Sequence, residues 1–171
     1  GGGMMFNYVC HAIYYLESLF GKINSTKTNI FFQKKIKTLK GIFFFNNGLS
    51  VKLNVKVGSI KKTFKPIHQL KIISDKKTYL LKTNLNSLSD KFKLIVFNQN
   101  SKNKIAKTLF KNKKNGNDFR IKPTFKNSIK FSTWIMSGKL QTPNFFDAQR
   151  IHLIINKMTL SSQKKKEIYI N

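Results

Sequence analysis

General acid–base chemistry needs carboxylates that can meet, and this sequence spreads its few acids thinly. Glu17, Asp75, Asp90, Asp118, Asp147 and Glu167 are all it has, and none forms a close pair for proton transfer or two-metal work. His11, His68 and His152 lie far apart with no H-x-x-x-H spacing, and Cys10 is the single cysteine. That excludes a disulfide framework and a cysteine-based zinc site, and no metal ligand set is suggested. Cys10 and His11 are neighbours, but adjacent residues on a helix point about 100° apart, so the pair reads as packing. Neither a P-loop nor a G-x-G-x-x-G fingerprint occurs. The residues therefore predict a protein that is not an enzyme, with no catalytic residue, no metal, no cofactor and no small-molecule substrate.

The basic side chains are the chemistry that remains. Thirty-three Lys and Arg against six acids give a formal net charge of +27, which repels itself in a compact body. Phosphates would neutralise it and release counterions, so a nucleic acid is the expected partner. Only Arg120 and Arg150 are arginines. Bidentate base reading is thus poorly supplied, and lysine suits contact through backbone charge and shape. The expected phosphate contacts are Lys34, Lys35, Lys37, Lys61, Lys62, Lys65, Lys111, Lys113, Lys114, Arg120, Lys122, Arg150, Lys164, Lys165 and Lys166. A second cause produces the same composition. Codons rich in A and T encode Lys, Asn, Ile and Phe, which points to an organelle genome or an unusually AT-rich nuclear one. With a lone cysteine, a mitochondrial matrix setting fits.

These side chains need elements to position them. A hydrophobic content of 40% with sixteen Phe can supply a core, so wholesale disorder is excluded. Over residues 4–20, Phe6, Val9, Ile13, Leu16 and Phe20 recur at helical spacing, and Gly21 ends the run. His11 and Glu17 inside it speak against a membrane span, and a helix docking on a neighbouring protein is expected. Residues 30–33 read as a short strand. Residues 36–45 and 49–57 form a hairpin about Asn47-Gly48, with Val51, Leu53, Val55 and Val57 on one face and Lys52, Asn54 and Lys56 on the other. The basic face is open to solvent or to RNA. Residues 67–73, 78–82 and 92–97 read as further strands, 105–111 as a short helical pattern, and 119–126 as extended chain in which Pro123 bars a central strand.

The most ordered pattern is 129–157. Ile129, Phe131, Thr133 and Ile135 alternate as in a strand, Gly138 marks a turn, and Thr142 caps a helix with Pro143 in its first position. Ala148, Ile151, Ile154, Ile155 and Met158 make an apolar stripe, and 166–170 closes as a strand. The expected fold is α+β: a small mixed or antiparallel sheet, an N-terminal helix, a C-terminal strand–helix–strand unit and extended basic loops. The expected regions are 1–28 (docking helix), 29–97 (β-rich), 98–128 (basic linker or extension) and 129–171 (strand–helix–strand).

In size, charge and composition the chain resembles organelle-encoded mitochondrial ribosomal proteins. Within 138–170, G-K-L-Q-T-P-N-F-F-D-A-Q-R is similar to the G-R-L-T-x-x-Q-I-E-A-x-R segment of the large-subunit ribosomal protein family numbered sixteen. Thr142, Phe146, Asp147, Ala148 and Arg150 stand at that family's Thr, Ile, Glu, Ala and Arg positions. One extra residue precedes Thr142 and Phe145 replaces a glutamine, so the individual family is left unassigned. The resemblance implies a structural constituent of the mitochondrial ribosome, a ribonucleoprotein role in translation, with ribosomal RNA and neighbouring ribosomal proteins as partners and no membrane span. The alternative is an accessory subunit of a mitochondrial respiratory or ATP-synthase complex, suggested by the aromatic helix at 4–20.

Overall fold

The structure is a computed structural model, and it describes residues 3–33, 36–58, 67–84, 93–98, 106–111 and 121–170. The fold is α+β with antiparallel sheets, an N-terminal helix and a C-terminal helix and strand. The chain separates into two compact units, Gly1–Ile60 with Ser137–Asn171, and Lys61–Met136.

In the first unit a π-helical turn (Met5–Val9) leads into α1 (Cys10–Phe20). Met5, Val9, Ala12, Ile13 and Leu16 recur at helical spacing and are buried together. Gly21 ends the helix at φ 91°, a backbone angle open mainly to glycine, with its N–H on the Glu17 carbonyl at 3.0 Å. The strands β1 (Ile23–Gln33), β2 (Ile36–Phe45) and β3 (Ser50–Gly58) follow as an antiparallel meander. The short β8 (Ile168–Tyr169) adds to the free edge of β1, giving the order β3-β2-β1-β8. The hairpin stands where the sequence places it, with residues 46–49 between the strands. Phe45 N–H donates to Leu49 at 2.9 Å and Gly48 N–H donates to Phe45 at 3.0 Å, with Gly48 at φ 82°. The Asn47 side-chain amide ties this loop to the Phe20 carbonyl at 3.0 Å.

The core lies between this sheet and the helices. Helix α3 (Phe145–Lys164) packs Ile154, Ile155 and Met158 towards β1, while β2 contributes Leu39, Phe43 and Phe45. Fully burying each such side chain is worth about 1.5–3 kcal/mol. Helix α1 thus buries its apolar face inside its own chain, where the sequence predicts a protein neighbour. The end of α3 also completes the outer edge of β1, where β8 stops pairing. Thr28 N–H donates to the Ser161 hydroxyl at 2.9 Å and Ile30 N–H to the Ser162 hydroxyl at 2.8 Å. Helix hydroxyls thereby satisfy strand donors that would otherwise be unpaired.

The second unit holds β4 (Ile67–Ile73), β5 (Lys77–Asn84), β6 (Lys93–Asn98) and β7 (Ala106–Lys111) in sequential antiparallel order, together with α2 (Ile121–Ser137). Two expectations fail here. The pattern at 105–111 is a strand: six residues are under two helical turns, too short to stand alone, and pairing with β6 satisfies the backbone instead. The region 129–136, expected as a strand, belongs to α2, which also takes up part of the supposedly extended 119–126. Ile121, Phe125 and Ile129 recur every four residues, and alternation over a few apolar residues does not distinguish the two periods. Pro123 falls in the first helical turn, where its missing N–H has no partner to lose. Along the chain, 121–170 therefore reads helix–helix–strand.

The start of α3 also differs in detail. Asn144 is the cap: its side-chain oxygen accepts from Phe146 N–H at 2.8 Å and Asp147 N–H at 3.1 Å, and Asp147 accepts from Asn144 N–H at 2.9 Å. This reciprocal box, with its acid in the first turn, prevails over the Thr142 cap that the sequence predicts. Ala148, assigned to the apolar stripe, is exposed, and Ser161 takes a buried position at the stripe's far end.

Candidate functional site

The open face of the first sheet carries the candidate site. Strand alternation sends Thr28, Leu39, Phe43 and Leu53 towards the helices and sends Lys27, Asn29, Lys40, Lys52 and Asn54 the other way. The register then aligns them in rows across three strands. Lys27 stands opposite Ile42 and Ile42 opposite Lys52; two residues along, Asn29 stands opposite Lys40 and Lys40 opposite Asn54. Between these rows runs Thr28–Gly41–Leu53, whose side chains point to the helix side, so its backbone makes the floor.

A cavity of about 570 Å³ occupies this place, lined by the three rows and by Ser162 and Lys165 from the end of α3. That volume lies within the range of small-molecule sites. Gly41 keeps the underside tight: a Cβ there would meet the Thr28 hydroxyl at 3.3 Å. Lys40 extends over the Phe31 ring, its Nζ 5.9 Å from the centroid, so an aromatic face steadies one of the four lysines of the lining. Lys165 takes part because it ends α3 at φ 54°, turning the chain towards β8. The lining offers ammonium groups, two amides and a hydroxyl. It can hold oxygen-rich or anionic groups, and it contains no acid or imidazole to move a proton.

The basic residues singled out from sequence are distributed differently. Lys165 lines the cavity, and Lys164 and Lys166 flank it in sequence as exposed residues. Lys37 is partly buried on β2. Arg150 is drawn inward: its Nε donates to both Glu17 carboxylate oxygens at 3.0 and 3.1 Å, and its NH2 group donates to the Ile23 carbonyl at 3.0 Å. Ile23 N–H also donates to Glu17 at 2.8 Å, so Arg150 and Glu17 join α3, α1 and the start of β1. Arg150 is thus a packing device, and not a surface phosphate contact. Lys34, Lys35, Lys61, Lys62, Lys65, Lys113, Lys114 and Arg120 lie outside the described residues, as do the side chains of Lys111 and Lys122. Lys27, Asn29 and Lys40 were not singled out. Their signal is the hairpin turn, which fixes which residue of β3 faces which residue of β2.

No described group of His, Cys, Asp or Glu could hold a metal ion, and no described helix is long and apolar enough to cross a membrane. Burial pushes the Cys10 thiol above its ordinary range, and the thiol donates to the Phe6 carbonyl at 2.8 Å.

No protein-family model matches the chain, and no curated protein sequence matches it. Solved structures do. The apo form of levoglucosan dehydrogenase superposes with a TM-score of 0.75 at 11% identity, over 99% of this chain and 51% of that one. Levoglucosan dehydrogenase in complex with NADH and L-sorbose gives 0.74 at 13% identity, over 100% of this chain and 51% of that one. A putative oxidoreductase, yvaA from Bacillus subtilis, gives 0.69 at 14% identity, over 99% of this chain and 53% of that one. The chain spans about half the length of these structures. At such identity the likeness is one of fold.

It nevertheless overturns several expectations together. The similar structures are oxidoreductases, so the mitochondrial ribosomal protein is withdrawn, and with it the resemblance to family sixteen, rRNA binding and the role in translation. The alternative respiratory or ATP-synthase subunit falls too, as do the reading as a non-enzyme and the exclusion of small-molecule substrates. The physical reason is that a lysine excess can follow from codon usage as readily as from a polyanionic partner. Charge alone therefore carried more of the argument than it could bear.

NADH is bound in three of the similar structures, but the described residues of this chain do not fit a dinucleotide. Every strand pairing among the described residues is antiparallel, whereas the doubly wound dinucleotide site forms in a mostly parallel sheet at a glycine-rich strand-to-helix turn. The best-formed helix start, that of α3, has its donors occupied by Asn144 and a carboxylate at Asp147, which would repel a pyrophosphate.

Proposed function

We propose that the chain is the antiparallel-sheet part of an oxidoreductase acting on small hydroxylated molecules, with the nicotinamide dinucleotide held by residues outside this stretch. The observation that carries the reading is the superposition of 99% of the chain on about half of levoglucosan dehydrogenase. The open-face cavity, rich in amide and ammonium donors, is the seat for the hydroxylated molecule. A mitochondrial matrix setting remains part of the proposal, supported by composition alone.

The test is titration of the purified chain, followed by amide NMR shifts, with NADH, levoglucosan, L-sorbose and a hexose phosphate. Saturable shifts at Asn29, Lys40 and Asn54 are expected with at least one hydroxylated compound other than NADH. If no hydroxylated compound, neutral or charged, moves these residues, the reading is overturned.

A further inference from the structure

Resting on the reading just given, we infer that the molecule held in the open-face cavity carries a phosphate, or a comparable cluster of negative oxygens, alongside its hydroxyls. Lys27, Lys40, Lys52 and Lys165 line the cavity and no carboxylate does. A neutral sugar would leave this concentration of positive charge unanswered, at a cost in self-repulsion that an anion removes. Charge-assisted hydrogen bonds from ammonium groups to phosphate oxygens are also roughly twice as strong as neutral ones.

Among the described residues of the first unit, no acid is left to act as an internal counter-ion. The first unit contains three acids, Glu17, Asp147 and Glu167. Glu17 is held by Arg150, Asp147 closes the start of α3, and Glu167 accepts from the Ser25 hydroxyl. All three are committed to the fold, and none lines the cavity.

The placement is more than an excess of lysine. Strand alternation and register bring Lys27 and Lys52 into one row and set Lys40 between Asn29 and Asn54 in the next, so each amide has an ammonium group beside it. Ammonium groups suit phosphate as point charges, while amides give and accept hydrogen bonds with hydroxyls. The lysines and the amides thus divide the recognition of one molecule. The rows bind its anionic end through Lys27, Lys40 and Lys52, and Asn29 and Asn54 orient its hydroxyls. Lys165, at the end of α3, closes the cavity at the β1 side.

Isothermal titration of the purified chain with glucose, glucose 6-phosphate and inorganic phosphate tests this. Glucose 6-phosphate should bind at least about tenfold more tightly than glucose, because the charge-assisted contacts belong to the phosphate. Lys40→Gln combined with Lys52→Gln should weaken the sugar phosphate by about tenfold or more, and Lys56→Gln by less than about twofold. Lys56 is exposed on the same strand outside the lining, so it reports general charge only. All three lysines are exposed, which leaves folding intact in the variants. Equal binding of glucose and its phosphate overturns the inference while leaving the hydroxylated-substrate reading in place. An equal loss in Lys56→Gln also overturns it, as unplaced attraction to a basic protein. Inorganic phosphate binding as tightly as the sugar phosphate supports the anion seat and counts against recognition of the hydroxyls. Binding of none of the three overturns both.

Discussion

β2 and β6 hold equivalent inner places in two antiparallel sheets of four strands, yet they are buried very differently. On β2 one face is hidden, with Leu39 and Phe43 fully buried, while Lys40 on the other face is exposed. On β6 the residues Leu94, Ile95, Val96 and Phe97 are all partly buried, whichever face they point to. The difference is the helical layer. α1 and α3 cover one face of the first sheet, and every fully buried apolar side chain among the described residues belongs to that unit. The second sheet is described by its antiparallel strand pairing alone. A sheet's hydrogen bonds arrange strands, but a second layer is needed to turn apolar faces into a core. The same asymmetry explains why the candidate site is on the first sheet, where a rigid covered face backs an open polar one.

The largest effect should follow from cutting into the two sheets at matched residues. Phe43→Ala should cost about 4 kcal/mol, since a fully buried aromatic leaves a cavity behind. Phe97→Ala, already partly exposed, should cost about 1 kcal/mol. Denaturant unfolding read by amide signals of each sheet separately measures both. Equal losses would remove the asymmetry.

Next in size is the ion pair that binds the helical layer to β1. Arg150 and Glu17 are 24% and 12% exposed in their side chains, so removing one partner strands the other in a poorly solvated place. Arg150→Ala should cost about 3 kcal/mol in the first unit and leave the β4–β7 signals unmoved. Arg150→Lys should recover only part of this, because an ammonium cannot reproduce the fork that reaches both Glu17 and the Ile23 carbonyl. Full recovery would mean that charge alone matters.

These residues also mark how far the sequence could be read. The Asn46-Asn47-Gly48 hairpin was legible because turn chemistry and alternation agree locally. So were the helix before Gly21 and the α+β class. Helix α2 was not, since Ile129, Phe131 and Ile135 satisfy a two-residue period as well as they satisfy a helical one. Arg150 was misread because Glu17 lies far away in sequence, and an exposed arginine and a paired one look alike there. The cavity was half legible. Lys52 and Asn54 stood out as a polar strand face, but the row through Lys40 and Asn29 needs a register that extends over β1. The partner class was misjudged for a simpler reason: net charge reports codon usage as readily as it reports function.

A smaller effect tests the joint between helix end and sheet edge. The buried Ser161 hydroxyl accepts from Thr28 N–H at 2.9 Å and donates to the Lys166 carbonyl at 2.6 Å. Ser161→Ala should cost about 1–2 kcal/mol by leaving a buried donor unpaired. The Thr28 amide should exchange with deuterium faster than its neighbours on β1. Unchanged exchange at Thr28 would show that β1 holds its edge without α3.

The smallest effect is a titration confined to the first unit. Burial raises the Cys10 thiol pKa, and the same cause raises that of Tyr15. A raised folded value means the folded chain holds its proton more tightly than the unfolded chain does. The stabilisation is therefore fully present below the unfolded thiol value of about 8.5 and is lost as pH rises through the folded one. Unfolding midpoints followed from neutral to alkaline pH should fall more steeply in the wild type than in Cys10→Ala, with Tyr15→Phe relieving a further decline at higher pH. The thiol should also react slowly with alkylating reagents at neutral pH, because little thiolate is present. Both groups belong to the first unit, so the β4–β7 signals should keep the same pH dependence in all three proteins. A parallel change there would mean the two units unfold as one, and the contrast between their sheets would then describe packing without describing independent stability.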